Sequence, residues 1–149
     1  MSSPLACVII LVIILATVQA DHEADLRETY AKLNCFKGYV GKFSDQLEAT
    51  IKDCNSKSIA SFWCYFSCCE AGMSVFVNGA FNDTARGEVL LSFFDPAAPE
   101  ATPTVDQWVK MLQFVKMRKG LKVPADYSGE CKDYEELKKC VAKARKCPA

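Results

Sequence analysis

The chain has 149 residues, half of them hydrophobic, and its 18 basic and 18 acidic side chains cancel to a formal net charge of zero. Because there is no basic excess, nothing in the composition indicates binding to nucleic acid or to an anionic membrane surface. The length fits a single domain with a modest hydrophobic core.

An uncharged apolar run over residues 5–16 opens the chain. It has the length of the hydrophobic region of a signal peptide and is shorter than the roughly 20 residues that span a bilayer. Val18 and Ala20 form a small-residue cleavage pattern before Asp21. We therefore expect a signal peptide over 1–20, a secreted, extracellular protein and no stable membrane insertion. An uncleaved anchor is the alternative.

Helical periodicity dominates the first half of the expected mature domain, residues 21–149. The spacing of apolar residues predicts a first helix over 24–36, ended by Gly38. Ser44 is the expected N-cap of a second helix, and Ser58 that of a third, very apolar helix that ends near Gly72.

The second half of the chain is expected to begin with an Asn-Gly turn at 78–79 and a fourth helix over 84–94. A proline-rich loop over 95–103 should follow, and then a fifth helix that starts around residue 104 and stops at Gly120. The last helix is expected over about 131–147. The fifth helix places an apolar stripe at i, i+3, i+4 and i+7, which is typical of a core-facing helix. The sequence thus predicts one all-α, disulfide-rich domain of about six helices.

Eight cysteines follow the leader: Cys35, Cys54, Cys64, Cys68, Cys69, Cys131, Cys140 and Cys147. An even set in an exported chain indicates four disulfides, and it argues against metal ligation by reduced thiolates. Cys64 and Cys68 lie at i and i+4, so they share one face of the third helix. They are expected to reach other helices, while the full connectivity stays open.

Two segments resemble the arthropod odorant-binding protein family: Cys64-Tyr-Phe-Ser-Cys68-Cys-Glu-Ala-Gly72 and Asn78-Gly-Ala-Phe-Asn82. The eight-residue gap between Cys131 and Cys140 is also similar to that family's last cysteine pair. The resemblance implies six helices around an internal apolar cavity, with disulfides Cys35–Cys68 and Cys64–Cys131. The chain departs from the family because it lacks the fourth cysteine, expected near 115–119, and has Cys54, Cys69 and Cys147 in addition.

The apolar side chains exceed what a disulfide-stapled domain of this size needs for its core, so some of them are expected to line a ligand cavity. The alternative for each one is plain core packing. The candidate ligand-binding residues are Phe62, Phe66, Phe76, Phe93, Trp108, Met111, Leu112 and Val115, with Tyr39, Tyr65 and Arg86 as candidate polar groups.

The leading functional hypothesis is a secreted carrier or scavenger that binds small hydrophobic molecules of odorant, pheromone, lipid or amine type, non-covalently, between helices. The alternative is a cavity-free secreted effector of salivary or venom type that binds a receptor, a host protein or a tissue protein. A carrier needs an enclosed apolar pocket of roughly 300 Å³ or more, whereas an effector should show a filled core and a contiguous exposed apolar patch.

Enzyme chemistry is not expected. The only histidine, His22, lies beside the expected mature N-terminus, where a Ser–His or Cys–His site would rest on a frayed end. We accordingly expect no cofactor and no metal. Asn82-Asp-Thr84 is an N-glycosylation sequon, so Asn82 is a candidate modification site in an exported chain.

Overall fold

The computed structural model describes the backbone of residues 4–113 and 120–144 and the side chains of residues 17–113 and 120–143. These residues form six α-helices and one short hairpin: α1 (Pro4–Ala31), α2 (Asp45–Asn55), α3 (Phe62–Gly72), β1 (Phe76–Val77), β2 (Ala80–Phe81), α4 (Asp83–Leu91), α5 (Ala101–Gln113) and α6 (Lys132–Ala144). A 3-10 turn, Lys32–Cys35, follows α1. The predicted all-α architecture of about six helices is confirmed.

Helix α3 lies at the centre of the fold. Residues 64–70 are all buried, and the helix packs against α1, α2, α6 and β1. Its N-cap is Ser61, whose hydroxyl accepts from the Cys64 N–H at 3.5 Å. The expectation that Ser58 caps this helix is wrong, because Ser58 has a φ of 52° and lies in the preceding turn. Both serines suit an N-cap by residue type, so sequence alone did not separate them.

Helices α1 and α2 pack on α3 and are joined at their outer surface. Ser44 caps α2 as predicted, accepting from the Leu47 N–H at 3.2 Å. Arg27 of α1 donates to both carboxylate oxygens of Glu48 in α2, at 3.0 and 2.7 Å. Hydrogen bonding to this guanidinium lowers the pKa of Glu48. Because the pair is exposed, it adds little stability, and its main effect is on how α1 and α2 are aligned with each other.

Helix α1 continues through the expected cleavage point after Ala20. His22 is buried within it, with Nε2 3.0 Å from the carbonyl oxygen of Ala60 and its ring against Phe62 and Tyr65. In the full chain His22 is therefore part of a packed helix, and the expectation of a frayed end concerns the cleaved chain and stays a prediction. Cleavage after Ala20 stays a prediction. Within the described part of the chain, no helix combines the length and apolar character needed to cross a membrane.

The predicted turn at 78–79 closes the β1–β2 hairpin. Asn78 and Gly79 have φ values of 51° and 76°, and positive φ at both central residues matches the twist of paired strands. Phe76 pairs with Phe81 across the hairpin, with ring centroids 4.8 Å apart. Asn82 then caps α4 through its side-chain oxygen, which accepts from the Ala85 N–H.

Helix α5 packs against α4 and begins at Ala101, three residues earlier than expected. Pro103 falls within the first turn, where a missing N–H breaks no helical hydrogen bond. The loop before α5 crosses the segment after α1 at Gly38, whose φ is 83°. A Cβ there would lie 2.4 Å from the Cβ of Ala98, so this crossing requires glycine.

Two disulfides fasten α3 to its neighbours. Cys68 bonds Cys54 of α2, and Cys64 bonds Cys131, the residue before α6. The expectation that cysteines of the third helix reach other helices is confirmed, as is the Cys64–Cys131 pairing. The Cys35–Cys68 pairing implied by the family resemblance is wrong, because Cys54 takes Cys68.

Complete pairing of the cysteines is also a wrong expectation, because the thiols of Cys69 and Cys140 are free. Cys69 is buried on α3, about 100° around the helix from Cys68, and Cys140 is exposed on α6. Cys35 is disulfide-bonded to a partner outside the described side chains, and Cys147 also lies outside them.

Cys69 and Cys140 are predicted to differ sharply in reactivity. Burial raises the pKa of the Cys69 thiol to about 12, so at pH 8 it is protonated as well as shielded, and thiolate is the nucleophile. Brief alkylation of the folded protein should label Cys140 and leave Cys69 unlabelled, and Cys69 should react only after unfolding. Mass spectrometry of labelled peptides measures both sites. Equal labelling of the two cysteines in the folded protein would contradict this burial.

The two disulfides should stabilise the fold unequally. They join residues 67 and 14 positions apart, and a longer closed loop constrains the unfolded chain more. Replacing Cys64 and Cys131 by Ser should lower the free energy of unfolding by about 4 kcal/mol, against about 3 kcal/mol for Cys54 and Cys68. Urea unfolding gives both values. The reverse order would show that native-state strain outweighs the chain entropy.

Candidate functional site

A pocket of about 250 Å³ opens between α1, α3, α4 and α6. Most of its wall is aliphatic or aromatic, contributed by Tyr30, Leu33, Phe36, Trp63, Phe66, Val75, Val89, Leu90 and Val141. Four charged residues also line it among the described ones: Lys32, which pairs with Glu28 of α1, and Glu70, Arg86 and Lys138. We call Glu70, Arg86 and Lys138, together with Tyr134, the Glu70 cluster. The pocket is thus an apolar space with an ionic wall.

The Glu70 cluster joins three helices at one carboxylate. Lys138 donates from Nζ to Glu70 Oε1 at 2.6 Å, and Arg86 donates from Nη2 to Oε2 at 3.5 Å. The Tyr134 hydroxyl also donates to Oε2. Since Glu70 is only 6% exposed, each of these contacts offsets the cost of removing its charge from water.

Helical spacing explains how these side chains converge. Glu70 lies four residues after Phe66, so both project from the same face of α3. Tyr134 and Lys138 are related in the same way on α6. Cys64 and Cys68 lie two residues before Phe66 and Glu70, about 200° around the helix. The disulfides therefore hold the opposite side of α3 and leave this face to the pocket.

Aromatic rings support both cations. The Lys138 ammonium lies 4.4 Å from the centre of the Phe66 ring, and the Arg86 guanidinium carbon lies 4.3 Å from that of Phe81. The negative face of a ring attracts a cation, most strongly where water is excluded. Even so, the Nε–H of buried Arg86 has no hydrogen-bond acceptor among the described residues.

Of the seven candidate ligand-binding residues that the structure describes, Phe66 alone lies on this wall. Phe93 stacks on Tyr30 at 4.5 Å, and Trp108 contacts Phe36 at 4.6 Å, each one layer behind the pocket. Phe76 packs against Phe81 in the hairpin, and Phe62 lies beside Trp63. Met111 and Leu112 lie on α5. Val115 lies outside the described residues. Trp108 belongs to α5, which packs on α4, so it does not line this pocket together with Phe66.

Of the three candidate polar groups, Arg86 lines the pocket. The Tyr39 hydroxyl instead donates to the Tyr30 carbonyl at 3.1 Å, and the Tyr65 hydroxyl donates to Asn55 Oδ1 at 2.8 Å. Burial raises the pKa of both phenols. Both tyrosines therefore have structural partners of their own.

Sequence reasoning missed Glu70, Tyr134 and Lys138. The available signal was Glu70 itself, a lone acidic residue inside an otherwise apolar helix and in phase with Phe66. A charge at such a position is buried only if cations meet it, and Arg86 was already a candidate polar group. Nothing in the sequence indicated which lysine of the last helix would do so.

A second, wider pocket of about 480 Å³ lies between the start of α2, the turn after α3 and α4. Its wall is largely polar and includes Ser44, Thr84, Glu88 and Ser92. Asn82 also borders it and is exposed, while glycosylation at this sequon stays a prediction. A polar, open surface suits a hydrophobic ligand less well than the smaller apolar pocket does.

Comparison with known proteins adds no relative, since no family model, no curated protein and no solved structure matches this chain. The resemblance to odorant-binding proteins therefore rests on the cysteine and glycine spacing alone. Among the described side chains, no three His, Cys, Asp or Glu residues gather as a metal site would require.

Glu70 is predicted to be essential to the fold. Glu70→Ala leaves Arg86 and Lys138 buried without their shared carboxylate, which should lower the free energy of unfolding by about 3–5 kcal/mol. Glu135→Ala, which removes an exposed ion pair with Lys139 on α6, is the matched control and should have a much smaller effect. Chemical denaturation compares the two. Equal losses would show that the cluster does not organise the core.

Proposed function

We propose that this protein is a carrier or scavenger that binds small hydrophobic molecules non-covalently in the pocket between α1, α3, α4 and α6. The observation that carries the proposal is the pocket's wall, which combines aromatic and aliphatic side chains with a few convergent polar groups. This combination is typical of small-molecule sites, where apolar contact gives affinity and polar groups give orientation.

The size of the pocket supports a small ligand. Its volume of about 250 Å³ is just below the range of about 300–1,000 Å³ that is usual for drug-sized molecules. An enclosed internal cavity, which the family resemblance implies, remains part of the proposal. Secretion, proposed from the apolar leader, agrees with a fold held by disulfides, since such bonds persist in oxidising compartments.

The distribution of apolar surface favours the carrier over the cavity-free effector. Among the described residues, Val40 and Val77 are the exposed large hydrophobic side chains, at 55% and 45%. An effector that docks on a protein through an apolar patch needs several such residues side by side. Among the described residues, apolar side chains instead line the pocket.

A neutral fluorescent probe, N-phenylnaphthylamine, tests the proposal. We expect binding with a dissociation constant in the micromolar range, near −8 kcal/mol. Phe66→Ala removes part of the wall and should weaken the probe's binding about tenfold, a change of about 1.4 kcal/mol.

Phe94→Ala is the matched control, because Phe94 is equally buried but packs on Tyr39 and Trp108, away from the pocket. Both variants should lose about 3–5 kcal/mol of stability, and only Phe66→Ala should lose probe affinity. If neither the probe nor a fatty acid binds below about 100 µM, the carrier proposal is overturned.

A further inference from the structure

We infer that the pocket selects amphiphiles with a carboxylate head group, which Arg86 and Lys138 bind while the chain lies against the apolar wall. The inference rests on the proposed function, because it names the ligand class of that same pocket. The proposed function admits neutral, anionic and amine ligands, and the inference narrows them to molecules that carry a carboxylate.

The charges that line the pocket favour an anion. Among the described residues there, Lys32, Arg86 and Lys138 are positive and Glu70 is negative. Glu70 already accepts hydrogen bonds from Arg86, Lys138 and Tyr134. An amine would meet an excess of cations and a carboxylate that is already engaged, whereas a carboxylate would meet cationic donors that outnumber the one anion.

Arg86 supplies the specific observation. Its side chain is buried, its one side-chain hydrogen bond among the described residues is long at 3.5 Å, and its Nε–H has no acceptor there. A guanidinium matches the two oxygens of a carboxylate with parallel N–H donors. Because Arg86 lines the pocket and its side chain makes only this one long bond to Glu70 among the described residues, its guanidinium has N–H donors that a bound carboxylate would engage.

The apolar wall begins next to the cations. The Phe66 ring lies 4.4 Å from Lys138 Nζ, and Val141 lines the pocket one turn further along α6. An amphiphile whose head group sits at Arg86 and Lys138 would then place its first carbons against Phe66. Because the surroundings exclude water, the ion pair there is stronger than at an exposed site.

The decisive experiment compares three ligands with the same ten-carbon chain, decanoate, decanol and decylamine, on the unchanged protein by isothermal titration calorimetry at pH 7.5. We expect decanoate to bind about tenfold more tightly than decanol, with decylamine weakest. This comparison does not depend on the folding of any variant.

Two charge-removing variants locate the head group. Arg86→Gln and Lys138→Gln should each reduce decanoate affinity about tenfold and leave decanol affinity unchanged. Their matched controls are Arg27→Gln, at the exposed pair with Glu48, and Lys139→Gln, the exposed neighbour of Lys138. The controls make the same change in net charge and should leave the affinity for decanoate unchanged.

The outcomes separate this inference from the proposed function. If decanol or decylamine binds as tightly as decanoate, the pocket is a ligand site and the carboxylate inference is overturned. Equal loss of decanoate affinity in Lys138→Gln and Lys139→Gln also overturns it, because general electrostatic attraction then explains the preference. If none of the three ligands binds below about 100 µM although N-phenylnaphthylamine does, the carboxylate inference alone is overturned; if the probe also fails to bind, the proposed function falls with it.

Discussion

The buried carboxylate of Glu70 is the interaction on which the arrangement of helices depends. A charge inside a protein is tolerated only when cations and hydrogen-bond donors surround it. Glu70 lies on the central helix, and its partners come from two others, Arg86 of α4 and Tyr134 and Lys138 of α6. The relative positions of these three helices are therefore fixed by a geometric requirement that apolar packing alone does not impose.

The disulfides act on the other side of the same helix. Cys64 and Cys68 fasten α3 to α6 and to α2, on a face about 200° from Phe66 and Glu70. Covalent bonds hold one face of α3 and ion pairs organise the opposite one. Since disulfides reduce how much apolar burial a small domain needs, the chain can leave a pocket on the ionic side without losing its fold.

The same cluster links stability to the proposed binding. Arg86 and Lys138 neutralise Glu70 and also line the pocket, so the groups that hold the helices together are those that a ligand would meet. Arg86 and Lys138 share the single carboxylate of Glu70, and a carboxylate ligand would give these two cations a second anion. Binding of such a ligand is expected to stabilise the folded protein, because it binds the native state alone.

The sequence by itself determined the helical class, the turn at 78–79, the Ser44 cap and the capacity of Cys64 and Cys68 to reach two different helices. These features depend on local conformational preference and on the 3.6-residue period, both of which are readable along the chain. Only the tertiary structure decided that Cys54 rather than Cys35 bonds Cys68, that His22 is buried, that Ser61 rather than Ser58 caps α3, and that Phe66 rather than Trp108 lines the pocket. Each of those outcomes depends on which helix faces which, a relation between residues distant in sequence.

The convergence of Glu70, Arg86 and Lys138 was also decided only by the tertiary structure, because charge pairing inside a core is set by packing in three dimensions and not by spacing along one helix.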